Sequence, residues 1–386
     1  MYRRSDKGLI ADWWWTVDRW FLLAFAALIG FGMMLSFAAS PNVAERIGLD
    51  TFHFVERHAI FLIPVVGVML GLSFLNDRQV RRVALVVLLG SLLLMLFTIF
   101  FGAEVKGSRR WIRIAGISVQ PSEFLKPAFV ILCAWLFAEH AKRPDIPGNL
   151  FAGILFAIAG ALLVAQPDIG QTVLLAGTWG AMFFLAGMNW LWIAVLGGIG
   201  AVGLVGAYLT IPHVTGRIDR FLTGQGDTFQ VDTGREALVR GGWFGQGPGE
   251  GTVKRILPDS HTDFVFAVLG EEYGIIACMI LVSVFGFIVL RGLLKGAAEQ
   301  DQFRRLAVCG LVVMIGLQSM INIMVNLNLL PAKGMTLPFV SYGGSSMLAV
   351  AVTAGFLLSL TRRRAEQRAR HIRFLSAEER AAVAAE

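Results

Sequence analysis

The sequence predicts an all-α polytopic membrane protein with about ten transmembrane helices. Both termini are predicted to be cytoplasmic, and a large extracytoplasmic loop is predicted between helices 7 and 8. Composition, ten long apolar runs and the placement of Lys and Arg predict this fold. The 386-residue chain is 56% hydrophobic and 16% charged, whereas a soluble domain is about 25% charged. Its mean hydropathy is +0.66. This composition excludes an ordinary soluble domain.

Ten apolar runs set the predicted helices, because crossing a bilayer takes about 20 mostly apolar residues. They form one transmembrane domain, 20–361, which includes a large outer loop at 211–263. The tryptophan-rich segment 1–19 predicts a cytoplasmic tail with an interfacial helix. The segment 362–386 predicts a second cytoplasmic tail. The runs lie at 20–39, 59–75, 83–101, 124–140, 149–165, 170–187, 189–210, 264–292, 305–327 and 343–361.

Basic residues in the short loops predict the orientation. If ten helices alternate, these residues fall on the same side as the N-terminus, and the positive-inside rule makes that side cytoplasmic. The residues are Arg3, Arg4, Arg78, Arg81, Arg82, Lys142, Arg143, Arg291, Lys295, Arg304, Arg305, Arg362, Arg363 and Arg364.

The short outer loop at 102–122 departs from this rule, because it holds Lys106, Arg109, Arg110 and Arg113. Basic residues on the outer side suggest that they bind an anionic group, and Arg matches phosphate oxygens with two parallel hydrogen bonds. The alternative is that they pair with an acidic neighbour or with lipid phosphates.

Glu123 and Lys126 begin the fourth predicted helix and lie three residues apart, so they can pair on one helix face. One interpretation is an ion pair that only makes membrane insertion tolerable. The other is that Lys126 meets a substrate phosphate and Glu123 positions it.

The outer loop carries a glycine-rich segment at 241–251. Its spacing fits neither GxGxxG after a strand nor GxxxxGK[ST], so we exclude a nucleotide site. The glycines break regular structure, and we predict a flexible lid over a membrane-embedded substrate.

Asp263 stands where this loop enters the eighth apolar run. We expect Asp259 or Ser260 to cap that helix, which would put Asp263 in its first turn near the outer bilayer face. Glu271 and Glu272 lie deeper and at other angles around the helix, so we predict structural pairing with polar groups of neighbouring helices.

Three amides in the ninth run, Gln318, Asn322 and Asn326, are four residues apart and predict a polar stripe facing the bundle interior or a cavity. The following segment, 330–346, contains two prolines and three glycines. We predict irregular backbone there, buried in protein or lining a watery cavity.

Four segments resemble the SEDS family of polytopic cell-wall polymerases, the FtsW/RodA/SpoVE group. Together with the ten-helix pattern, the resemblance covers about 20–361. Within the family, 331–338 resembles the division branch, FtsW, although Tyr273 and Asn328 stand where leucine and glycine are expected. The segments are GSRRWI at 107–112, QPSEFLK at 120–126, HTDF at 261–264 with GEEYG at 270–274, and PFVSYGGSS at 338–346.

The resemblance implies a peptidoglycan glycosyltransferase that joins lipid II units at the outer face of the cytoplasmic (inner) membrane, at the division septum. It assigns the catalytic role to Asp263. It also implies partners: a class B penicillin-binding protein transpeptidase of the septal type and other divisome membrane proteins. We place the substrate-binding candidates at Arg109, Arg110, Glu123, Lys126, Lys333 and Ser341.

Asp263 could act as a general base for an inverting transfer, with Arg109, Arg110 and Lys126 neutralising the pyrophosphate leaving group. No metal-ligand motif is present, although Mg²⁺ or Mn²⁺ could bridge Asp263 and the pyrophosphate. Nucleic acid is not an expected partner. Three alternatives remain: a lipid II flippase, an elongation polymerase of the RodA type, and an anchor that only recruits the transpeptidase.

Overall fold

A computed structural model describes residues 8–105, 108–114 and 117–362. Predictions for residues 1–7, Lys106 and the tail at 363–386 lie outside these ranges. Within them, eight helices are long and apolar enough to cross a membrane, and two shorter apolar helices accompany them. The protein is therefore a helical, multi-pass membrane protein, as predicted.

The helix bounds follow the predicted runs closely. The eight candidate spans are α2 (Arg19–Arg46), α3 (His53–Ser73), α4 (Asp77–Phe101), α5 (Pro121–Lys142), α6 (Gly148–Ala165), α8 (Trp190–Thr210), α11 (Val265–Ala298) and α12 (Gln302–Asn326), and the shorter apolar helices are α7 (Ile169–Leu185) and α13 (Gly344–Leu360). The remaining helices are α1 (Leu9–Thr16), α9 (Pro212–Thr223), α10 (Phe229–Gly241) and a 3₁₀ turn, Val253–Arg255.

Helices α5, α12 and α13 form the centre of the bundle. Nearly all residues of α13 and most of α5 and α12 are buried. Helix α8 lies at the periphery, where its main neighbours are α7 and α9. The outer loop that follows α8 therefore begins at the edge of the bundle.

Ion pairs gather the predicted cytoplasmic loops at one end of the bundle. Asp18 caps α2 and pairs with Arg291 and Lys295 at the end of α11. The other contacts at this end are Arg304 with Asp77 at 2.7 Å, Lys142 with Asp301 at 3.7 Å, Arg362 with Asp12 at 3.5 Å, and Trp13 with Ser73 at 2.7 Å.

The outer loops are more regular than predicted. Residues 102–122 contain three antiparallel strands in the order β1-β2-β3: Ala103–Val105, Ser108–Ile114 and Ile117–Val119. The loop at 211–263 contains α9 and α10. The all-α prediction thus holds for the spans but not for the loop at 102–122, where polar and β-branched residues pair as strands.

The glycine-rich segment is held in place, so the prediction of a flexible lid there was wrong. Helix α11 is kinked at Gly274, whose φ is 75°, and the segment enters this kink. Gln246 and Gly247 donate backbone hydrogen bonds to the carbonyls of Glu271 and Glu272 at 2.9 and 3.0 Å. A side chain on Gly245 would overlap the Glu272 carbonyl. Glycine is therefore required by close backbone approach.

Glu271 and Glu272 are structural, as predicted, but their partners lie in the outer loop instead of on neighbouring helices. Glu271 accepts from the backbone N–H groups of Val253 and Lys254 at 2.6 and 2.8 Å. The Lys254 ammonium pairs with Glu272 and donates to the carbonyl of Ala38 in α2 at 2.8 Å. All three charged side chains are buried. This cluster joins the loop, α11 and α2.

Lys254→Met should destabilise the folded protein, because it leaves the Glu272 carboxylate buried without its cation. Removing one partner of a buried pair costs about 3–5 kcal/mol. The Lys254→Met/Glu272→Gln double variant should recover part of that loss. Thermal unfolding of the detergent-solubilised protein measures both effects.

The neighbouring Arg255→Gln substitution is the matched control, because Arg255 is exposed. Equal unfolding temperatures for Lys254→Met and Arg255→Gln would contradict a stabilising role for the buried pair.

Candidate functional site

A cavity of about 1050 Å³ opens at the end of the bundle opposite the ion-paired loops. Its walls come from the starts of α3, α5, α10 and α13, the β-strands, the α6–α7 turn, α9, the turn before α11 and the segment between α12 and α13. The charged residues that line it are Arg57, Arg110, Glu123, Asp168, Arg217, Arg220, Asp227, Asp232, Asp259, Asp263 and Lys333.

Asp263 lines this cavity from a series of turns that precedes α11. The expected cap by Asp259 or Ser260 was wrong: the residue before the helix is Phe264, no side chain caps the helix, and the first helical residue is Val265. Asp263 and Phe264 instead donate their backbone N–H groups to the carbonyl of Asp259 at 3.1 and 3.2 Å. The Asp263 carboxylate consequently stands just outside the helix.

Two amides of α12 fix the backbone of Asp263. Asn322 and Asn326 donate to its carbonyl oxygen at 2.9 and 3.0 Å. Asn322 also donates to the carbonyl of Met335 at 2.6 Å, and Gln318 donates to that of Thr336 at 3.0 Å. The predicted polar stripe is confirmed, and its function is to join the turn of Asp263 to the segment between α12 and α13.

That segment is irregular and lines the cavity, as predicted. It packs so closely on the catalytic candidate that a Cβ atom built on Gly334 would lie 2.8 Å from Asp263 Oδ2. Ser341 is 1% exposed; it accepts from the Leu337 N–H at 2.8 Å and donates to the Thr262 carbonyl at 2.5 Å. Ser341 therefore anchors the turn and does not line the cavity.

Lys333 and Arg110 converge on one carboxylate, Asp168. Lys333 pairs with its Oδ1, and Arg110 lies 3.3 Å from its Oδ2. Arg110 also donates to the carbonyls of Gln166 and Pro167 at 3.1 and 2.6 Å. Two predicted substrate-binding residues, far apart in sequence, are thus brought together beside the cavity.

Sequence analysis did not identify Asp168 as part of a site. The only signal was a carboxylate in the tight turn between two apolar runs. Burial raises the pKa of Asp168, but the charges of Lys333 and Arg110 outweigh it, and the pKa lies below its usual range. Burial lowers the pKa of Lys333, and Asp168 opposes this change. Asp168 therefore holds two cations in a partly desolvated place.

Glu123 and Lys126 pair at 2.8 Å, which confirms the predicted ion pair. Gln171 donates to the other oxygen of Glu123 at 2.6 Å, and Lys126 donates to Gln318 at 2.9 Å. Glu123 lines the cavity, but Lys126 is 3% exposed and does not. In this conformation Glu123 forms part of the cavity wall, and the buried Lys126 stabilises it from the side away from the cavity.

Arg109, a predicted substrate-binding residue, and His261 do not line the cavity. Arg109 is exposed and lies 3.4 Å from Glu104, so it pairs with an acidic neighbour and does not line the cavity. His261 stacks on Phe54, with 5.0 Å between ring centroids. Burial lowers its pKa to about 4, so it is neutral at pH 7. In the described part of the chain, no three His, Cys, Asp or Glu side chains are grouped as a metal site.

A family model described as "Cell cycle protein" matches residues 19–366, which include every element that lines the cavity. The chain belongs to the FtsW/RodA/SpoVE family.

Members of this family include proteins similar to the chain over most of its length. A protein of Caulobacter vibrioides, named probable peptidoglycan glycosyltransferase FtsW, is 48% identical over 94% of each chain. A protein of the same name from Geobacter metallireducens is 35% identical over 89% of this chain and 94% of its own.

Solved structures share the fold. The crystal structure of the Thermus thermophilus rod shape determining protein RodA matches with a TM-score of 0.66 at 25% identity, covering 90% of this chain and 97% of that one. A structure titled for polymerization and crosslinking by a peptidoglycan synthase complex matches with a TM-score of 0.74 at 24% identity, covering 89% and 97%.

The stability contribution of Asp168 should depend on pH. The carboxyl of an unfolded aspartate has a pKa of about 3.9, and the folded pKa of Asp168 is lower. Its contribution is therefore present above about pH 4 and is lost as the pH falls through the folded value. Asp168→Asn should unfold at a lower temperature than wild type at pH 6, and this gap should shrink between about pH 4 and pH 3.

Asp145→Asn, at an exposed position near the ion-paired end, serves as the control and should unfold like wild type across this range. A gap for Asp168→Asn that stays constant down to pH 3 would contradict the assignment.

Proposed function

We propose that this protein is a peptidoglycan glycosyltransferase that polymerises lipid II into glycan strands at the outer face of the cytoplasmic membrane during cell division. The observation that carries the proposal is that Asp263 lines a cavity together with Arg110 and Lys333, which both pair with Asp168. Similarity to probable peptidoglycan glycosyltransferases named FtsW, at 48% and 35% identity, supports the activity and the division branch over the elongation branch.

The proposed topology has ten crossings, cytoplasmic termini and the cavity on the outer side. Eight candidate spans and two shorter apolar helices would supply the crossings. The basic loops meet at the end opposite the cavity, and the positive-inside rule places such an end in the cytoplasm. A substrate with a polyprenyl tail in the outer leaflet would then reach the cavity with its polar headgroup.

The chemistry follows from the charges in this cavity. A hydroxyl of the acceptor sugar attacks the anomeric carbon of the donor, and the bond from that carbon to the pyrophosphate oxygen breaks. The Asp263 carboxylate takes the hydroxyl proton. Lys333 and Arg110 offset the negative charge that grows on the departing pyrophosphate. Direct attack inverts the anomeric configuration.

Glu123 is poorly placed to form a covalent sugar intermediate, because its two oxygens already accept from Lys126 and Gln171. We assign to Glu123, Lys126 and Ser341 the role of holding the cavity wall and the Asp263 turn. Direct contact of Lys126 or Arg109 with substrate stays a prediction, as does a bridging Mg²⁺ or Mn²⁺.

The proposed partner is a septal class B penicillin-binding protein with transpeptidase activity, and the proposed location is the division septum together with other divisome membrane proteins. The fold of a chain in a structure titled for a peptidoglycan synthase complex is similar, which supports pairing of polymerisation with crosslinking. Among the described residues, no observation favours a flippase, since the buried carboxylates of Glu271 and Glu272 bind the outer loop and do not line the cavity.

Asp263→Asn should abolish glycan polymerisation, because the amide cannot accept the hydroxyl proton. A general base contributes about 10²- to 10⁴-fold, so at least a hundredfold loss is expected. Lipid II polymerisation by the purified protein with its cognate transpeptidase, followed by gel separation of the glycan products, measures the rate.

Asp50→Asn is the matched control, because Asp50 is exposed in the turn between α2 and α3. Equal activity of folded Asp263→Asn and Asp50→Asn would remove Asp263 from the mechanism. If wild type moves lipid II between leaflets without polymerising it, the protein is a flippase instead.

A further inference from the structure

The backbone of Phe339 is held in an unusual conformation. Its φ angle is 61°, in the left-handed region, which is sterically unfavourable for a residue with a Cβ atom and readily adopted only by glycine. Phe339 is also buried, within the irregular segment between α12 and α13. A strained backbone of this kind persists only where the surrounding structure imposes it, and it clusters at functional sites.

Helix α2 imposes this conformation through two residues. The Phe339 ring packs edge-to-face on Phe25, with 5.7 Å between the ring centroids. The Phe339 carbonyl lies against Gly32, where a Cβ atom would be only 2.3 Å from its oxygen. Phe25 and Gly32 are about two helical turns apart and so lie on the same face of α2. The helix therefore fixes both the ring and the backbone of Phe339.

Phe339 lies inside a closed turn. The backbone N–H groups of Val340 and Ser341 both donate to the Leu337 carbonyl, at 3.1 and 3.0 Å. The Ser341 hydroxyl accepts from the Leu337 N–H at 2.8 Å. Because these three hydrogen bonds join the two ends of the turn, a shift of the Phe339 carbonyl would move the turn as a unit.

This turn holds the two residues that precede Asp263. The Ser341 hydroxyl donates to the Thr262 carbonyl at 2.5 Å, and the Tyr342 N–H donates to the His261 carbonyl at 2.9 Å. Two amides of α12 separately hold the carbonyl of Asp263 itself. The backbone at Asp263 is therefore fixed by two supports, and the position of one of them is set by α2.

We infer that Gly32 and Phe339 are positioning residues for Asp263, because their contact sets the turn to which the backbone before Asp263 is bound. Neither residue lines the cavity, so both act through the backbone and not through contact with a substrate. The inference rests on the proposed function for the reaction that Asp263 serves. Sequence analysis gave neither residue a role, since both are apolar and the contact joins segments far apart in the chain.

Gly32→Ala tests this contact, because the added methyl group would overlap the Phe339 carbonyl and displace the turn. Gly30→Ala is the matched control. Gly30 lies in the same helix with nothing within 4 Å of its Cβ position, so both variants gain helix propensity and only one disturbs the turn. Two measurements are made on the purified full-length protein: the kinetics of lipid II polymerisation with its cognate transpeptidase, and hydrogen exchange of the peptides that contain 261–264 and 337–342.

Gly32→Ala should lower kcat about 10- to 100-fold, because a displacement of about 1 Å at a reacting group can cost that much. KM should stay near the wild-type value, since the substituted residue lies outside the cavity. The backbone N–H groups of Asp263 and Tyr342 should exchange faster, because their hydrogen bonds weaken. Gly30→Ala should match wild type in every measurement.

Wild-type kcat in folded Gly32→Ala would overturn the inference, as would an equal loss of kcat in Gly30→Ala. A raised KM with unchanged kcat would also overturn it, because the effect would then be on substrate binding. If Gly32→Ala does not fold, Phe339→Leu decides, since it removes only the ring contact with Phe25. It should lower kcat in the same way but by less, and wild-type kcat in this variant would contradict the inference.

Hydrogen exchange separates this inference from the proposed function. A wild-type protein without polymerase activity would refute the proposed polymerase. Faster exchange at 261–264 in Gly32→Ala, with wild-type exchange in Gly30→Ala, would still support the positioning of Asp263 by α2. Equal exchange in the two variants would overturn it.

Discussion

The side chain of Asn322 is the contact on which the site depends. Its amide nitrogen donates to the carbonyl of Asp263 and to the carbonyl of Met335, and so it joins two segments that lie far apart in sequence. In a membrane interior, irregular backbone is stable only where side chains or cavity water satisfy its polar groups. Buried amides of α12 do so here, and the result is that Asp263 faces the segment carrying Lys333.

The stability of the fold alone does not explain how the charges around this contact are arranged. Asp168 fixes Lys333 and Arg110 as a pair, while Arg217 pairs with no carboxylate among the described residues. The charges of Lys333 and Arg110 hold the pKa of Asp168 below its usual range although burial raises it, whereas burial itself lowers the pKa values of Lys333 and Arg217. In the proposed chemistry, Lys333 and Arg110 offset the negative charge of the departing pyrophosphate.

Charged residues within the spans fall into two groups that the sequence does not distinguish. Glu271 and Glu272 bind the outer loop through Lys254 and backbone N–H groups, away from the cavity. Glu123 lines the cavity, yet its oxygens are used by Lys126 and Gln171. An ionisable residue in a membrane suggests function. Glu271 and Glu272 have a structural role here instead, because they hold the glycine-rich loop against the kinked helix α11.

The sequence by itself determined the helical spans, because apolar length and loop charge act locally and need no partner. It also determined the Glu123–Lys126 pair and the amide stripe, since helical spacing alone puts those residues on one face. The family motifs pointed to Asp263. Only the tertiary structure brought Asp168, Lys333, Arg110 and Arg217 to one cavity, because their meeting depends on packing between elements far apart in the chain. It likewise replaced the flexible lid with a fixed segment, since the glycines serve a close backbone contact that spacing cannot reveal.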